Sequence, residues 1–60
     1  MPAKFEIYQD KQKLYRFRLI APNGQIIATS QGYKSKESCK KGIASVVKNA
    51  PSASEVDSTG

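Results

Sequence analysis

Apolar and polar side chains alternate between Lys4 and Gln9, with Phe5 and Ile7 on one side and Lys4, Glu6 and Tyr8 on the other. A period of two marks a half-buried strand. The charged run Asp10-Lys11-Gln12-Lys13 interrupts it, and alternation resumes from Leu14 to Ile20, where Tyr15, Phe17 and Leu19 oppose Arg16, Arg18 and Ile20. Two such runs joined by a short polar loop predict an antiparallel hairpin, its register set by burying Phe5, Ile7, Phe17 and Leu19 together. Ala21-Pro22-Asn23-Gly24 follows, the sharpest local signal in the chain. Proline presets φ for the first central turn position, asparagine suits the second and glycine accepts positive φ, which predicts a type I turn closed by a G1 bulge. The β-branched content of Gln25 to Ser30 then predicts a third strand, completing a three-stranded meander.

Past the connector Gln31-Gly32-Tyr33-Lys34 the period changes. Cys39, Gly42, Ile43, Val46, Val47 and Ala50 recur at three-to-four spacing, with Lys36, Lys40, Lys41 and Lys48 largely on the opposite side. This predicts an amphipathic helix capped by Ser35, with Glu37 in its first turn. Asn49 in a left-handed conformation and Pro51 would end it near Lys48. Ser52 to Gly60 is small and polar, the composition of a frayed tail.

Composition narrows the classes. A chain of 60 residues, 38% hydrophobic and 25% charged, fits one small folded domain rather than a disordered segment. No apolar run approaches the ~20 residues of a membrane helix, and the Met-Pro-Ala-Lys opening does not read as a secretory signal. Neither a membrane nor a secreted protein is expected. With no histidine and the single cysteine Cys39, disulfide frameworks, Cys/His zinc sites and histidine-based triads have no residues to use. No cofactor or metal is expected, and a lone thiol suits a reducing cytoplasm. At this length folding buries only roughly 60% of the unfolded chain's surface, so a partner chain is the remaining source of stability.

Phe5-Glu6-Ile7-Tyr8, Tyr15-Arg16-Phe17-Arg18-Leu19, Asn23-Gly24-Gln25-Ile26-Ile27-Ala28, Ser30-Gln31-Gly32-Tyr33, Ser35-Lys36 and Gly42 to Ala50 occur in an order that resembles the YegP-like family, small bacterial and archaeal domains of unknown function. The resemblance runs from Lys4 to about Val56. It implies a β(3)-α-β motif, found as two tandem repeats in one chain or as one repeat per chain in a dimer with strands exchanged. The expected fold is α+β, a single such motif over residues 1–60 with its core at about 4–57, completed as a homodimer. The resemblance also implies a short fourth strand near Ala53 to Asp57, where composition reads a tail. It transfers no activity, substrate or catalytic residue.

The candidate chemistry is sparse. Residues 1–50 hold all ten Lys and Arg against Glu6, Asp10 and Glu37, a net +7, while Glu55 and Asp57 give the tail −2. A basic body attracts anions at long range. Arg16, Arg18, Lys34, Lys36, Lys40 and Lys41 are therefore candidate contacts for nucleic acid or another polyanion. If Tyr15 and Phe17 form the core they cannot also stack on bases, and Arg16 and Arg18 are then expected beside acids of a second motif, such as Glu6. Gly32-Tyr33-Lys34-Ser35-Lys36 enters a helix N-terminus but lacks the contiguous Gly-Lys-Ser of a phosphate loop. Cys39 falls on the helix's apolar side with no histidine to activate it. The expected function is that of a non-enzymatic interaction or structural module, with weak polyanion binding as the alternative.

Overall fold

A computed structural model describes residues 2–59. Strands β1 (Lys4–Gln9), β2 (Tyr15–Ile20) and β3 (Ile26–Thr29) precede helix α1 (Lys36–Asn49) and a 3-10 turn, Ala50–Ser52. The sheet is an antiparallel meander in the order β1-β2-β3. Its register pairs Phe5 with Leu19 and Ile7 with Phe17, as burial of these four side chains on one face requires.

The β1–β2 loop is held by Asp10. Its Oδ1 accepts from the Gln12 and Leu14 amides at 2.8 and 3.0 Å, and its own N–H donates to the Leu14 carbonyl at 3.0 Å. These bonds hold Lys13 at φ 64°, a left-handed conformation uncommon for a residue with a side chain. The second turn forms as the sequence predicts. Gly24, at φ 89°, donates to the Ala21 carbonyl at 2.8 Å while Ala21 N–H donates to Gln25 at 2.7 Å. Strand β3 is shorter than the expected Gln25 to Ser30 because the turn consumes Gln25 and Ser30 meets Phe17 partly through its side chain; the sheet's bulge lies at Leu19/Ile20, opposite Ile27. Ser30 Oγ takes the Phe17 N–H at 2.9 Å, and Ser30 N–H donates to the Phe17 carbonyl at 2.9 Å. Pairing resumes at Tyr33, which exchanges backbone bonds of 2.7 and 2.8 Å with Tyr15.

Helix α1 starts where Ser35 predicts, its Oγ accepting from Ser38 N–H at 3.1 Å. Its end differs from the expectation. Asn49 is right-handed, φ −97° and ψ −27°, and the chain tightens into the 3-10 turn with Pro51 in its first turn, where a missing N–H costs nothing. Asn49 instead donates its side-chain amide to the Ser45 carbonyl at 2.8 Å. Beyond Ser52 the described residues are exposed and form no strand, so the fourth strand implied near Ala53 to Asp57 is not made within the single chain.

The core lies between α1 and the β2 face it covers. Among the described residues only Phe17, 7% exposed, and Cys39, fully covered, are buried. Phe17 meets Phe5 edge-on at 5.8 Å and stacks on Tyr33 at 6.3 Å. Every residue of β3 is exposed.

Candidate functional site

The sheet face away from α1 carries the chain's polar chemistry. Register places Glu6 opposite Arg18 and Tyr8 opposite Arg16. Arg18 pairs with Glu6 at 2.5 Å and lies over the Tyr8 ring, 4.7 Å from its centroid. Arg16 Nε donates to Asp10 Oδ2 at 2.7 Å and its Nη1 to the Ser30 carbonyl at 3.1 Å. The bond from Arg16, then that from the Leu14 amide, holds the Asp10 carboxyl below its usual range, and Asp10 raises Arg16 in return. Both arginines therefore do meet acids, but acids of their own chain rather than of a second motif.

Lys34, Lys36, Lys40 and Lys41 are exposed and form no ion pair among the described residues. Neither of two clefts on the surface brings them together with Arg16 and Arg18. The two clefts described are lined by Pro2, Lys4 and Ile20 to Gly24 in one case and by Tyr8, Asp10, Lys11, Gln12 and Arg16 in the other. Among the six candidate cations only Arg16 lines either.

Burial pushes the Cys39 thiol up, away from the reactive thiolate, and no His/Cys/Asp/Glu cluster suited to a metal occurs among the described residues. Asp57 is held low by hydrogen bonds from Thr59, a local turn in the exposed tail. No helix among the described residues is long and apolar enough to cross a membrane.

Two structural residues were not legible as such. In the sequence Asp10 reads as part of a charged break, although an aspartate whose side chain bonds to backbone amides a few residues on is a common loop lock. Tyr33 read as a connector, and its place in the core depends on Gly42, which no local pattern joins to it.

The fold is thus a three-stranded antiparallel meander capped by one helix. The family "Domain of unknown function (DUF1508)" matches residues 10–57, and the chain belongs to it. A UPF0339 protein of Methanosarcina acetivorans is 67% identical over 51 residues, covering 85% of this chain and 88% of that protein. YegP of Yersinia pestis, another UPF0339 protein, is 45% identical over 53 residues, covering 88% of this chain but 47% of its own length. A solution structure of a Haloferax volcanii protein superposes with a TM-score of 0.89 at 43% identity, covering 95% of this chain and 97% of that one.

Proposed function

We propose that this chain is a non-catalytic interaction and structural module of the cytoplasm that works as a homodimer, exchanging the segment from Ala53 to Asp57 between two copies. The observation that carries this is surface area. The chain exposes 5091 Å² at 6.6 kDa, whereas a compact monomer of that mass exposes about 3,900 Å². The excess, about 1,200 Å² per chain, doubles to roughly 2,400 Å², within the range of obligate homodimer interfaces. Its radius of gyration, 12.9 Å, is likewise above the about 10 Å of a compact chain this long.

The exposed apolar residues identify what a second copy would cover. Ile26 and Ile27 on β3 are 52% and 60% exposed, Val47 on α1 58%, and Val56 in the tail 84%. Both β1 and β3 have an open edge that an extended segment can pair with. The tail's −2 also complements the body's +7. Relatives such as the Yersinia pestis YegP, about twice this length, have room for two such motifs in one chain.

Sedimentation equilibrium at micromolar concentration tests the proposal. A mass of twice 6.6 kDa is expected. A mass equal to one chain at every concentration contradicts it.

A further inference from the structure

The β1–β2 loop and the adjoining strand ends border a shallow, open cleft lined by Tyr8, Asp10, Lys11, Gln12 and Arg16. We propose that this cleft binds a small phosphate monoester, independently of the dimer reading. Arg16 is its anchor. Of a guanidinium's five N–H donors, two are spent, on Asp10 at 2.7 Å and on Ser30 at 3.1 Å. Three remain, on a head already fixed in place, so a ligand need not order it first. Planar donors of this kind match two phosphate oxygens at once.

Asp10 does not cancel the site. Its Oδ1 accepts from the Gln12 and Leu14 amides and its Oδ2 from Arg16, so most of its acceptor capacity is already engaged. Lys11 and Arg16 against Asp10 leave the lining at +1. Lys11 forms no ion pair and the Gln12 side-chain amide no hydrogen bond among the described residues, so both can donate to an anion. Guanidinium, ammonium and amide supply three donor groups, which suits the three terminal oxygens of a monoester better than the two of a carboxylate. Tyr8, fixed under Arg18, forms a firm wall for the organic group. The exposed helix lysines that a polyanion would use lie outside the lining.

The test is an amide and arginine Nε chemical-shift titration of the full chain with ribose 5-phosphate, inorganic phosphate and acetate in parallel at constant ionic strength. Saturable shifts at Gln12, Leu14 and Arg16 are expected with ribose 5-phosphate in the low-millimolar range, weaker with inorganic phosphate and absent with acetate. Arg16→Lys keeps the charge that pairs with Asp10 but loses the fork, and should weaken binding about tenfold. Lys11→Gln, at an exposed position, should weaken it about threefold. Equal affinity for inorganic phosphate would overturn the monoester assignment. Non-saturating shifts, matching responses to acetate, or shifts centred on Lys34 to Lys41 would overturn the site.

Discussion

The ring of Tyr33 lies nearly parallel to that of Phe17, 18° between planes and 6.3 Å between centroids, so a connector residue completes the covering of the main buried side chain. Gly42 makes room for it. A Cβ there would stand 2.9 Å from Tyr33 Cζ and 3.3 Å from Phe17 Cε2. Exchanging a mid-helix glycine for alanine ordinarily gains about 1 kcal/mol, but overpacking of this kind costs about 2 kcal/mol. Gly42→Ala should therefore destabilise, by about 1 kcal/mol on this balance. Denaturant unfolding measures it, and a stabilised variant would show that Tyr33 moves freely.

Gly24 tests the second turn differently. A Cβ at this position meets nothing within 4 Å, so the only cost of a side chain is its backbone conformation at φ 89°. Gly24→Val should lose about 2 kcal/mol, since a β-branched residue is poorly accommodated there. Gly24→Asn should lose clearly less, because asparagine tolerates the left-handed region. Equal thermal midpoints for the two variants would contradict a turn closed by a positive-φ residue.

These two glycines mark the limit of what the sequence discloses. Strands and the Pro22-Asn23-Gly24 turn are local patterns, and alternation places Phe17 inward and Arg16 and Arg18 outward without any tertiary information. The Gly42–Tyr33 contact joins residues of different elements, and no spacing rule links them. Candidate cations were likewise readable as residues but not as partners: nothing in the order of the chain says that Asp10 reaches Arg16 and that Glu6 reaches Arg18. The helix end misled because Pro51 stops an α-helix but fits a 3-10 turn.

Asp10 should make the β1–β2 hairpin acid-sensitive. Its folded-state pKa is lowered, first by the hydrogen bond from Arg16 and then by that from Leu14. A lowered carboxylate pKa contributes stability that is fully present above the unfolded-state value of about 3.9 and is lost as pH falls through the folded value. Unfolding midpoints should therefore fall below about pH 4. Asp10→Asn retains an acceptor for the Gln12 and Leu14 amides but no charge for Arg16, and should flatten that fall. An unchanged acid limb in this variant would assign the loss to other carboxylates.

Cys39 is fully covered and its thiol is raised by burial, so it should resist alkylation in the native protein and react readily in denaturant. Cys39→Ser places a hydroxyl in the same apolar site at a cost of about 2 kcal/mol. Cys39→Ala should be the milder change. Native-state alkylation at the rate of the unfolded chain would contradict a packed interface between α1 and β2.

The dimer with an exchanged tail is most directly tested by isotope-filtered NOE spectroscopy on a sample mixed from labelled and unlabelled chains, which detects contacts between copies only. Val56, 84% exposed in the single chain, is the reporter. Cross-peaks are predicted from its methyl groups to sheet residues of the other copy. A mixed sample without inter-chain cross-peaks from Val56, at concentrations where the intact chain is folded, would contradict the exchange.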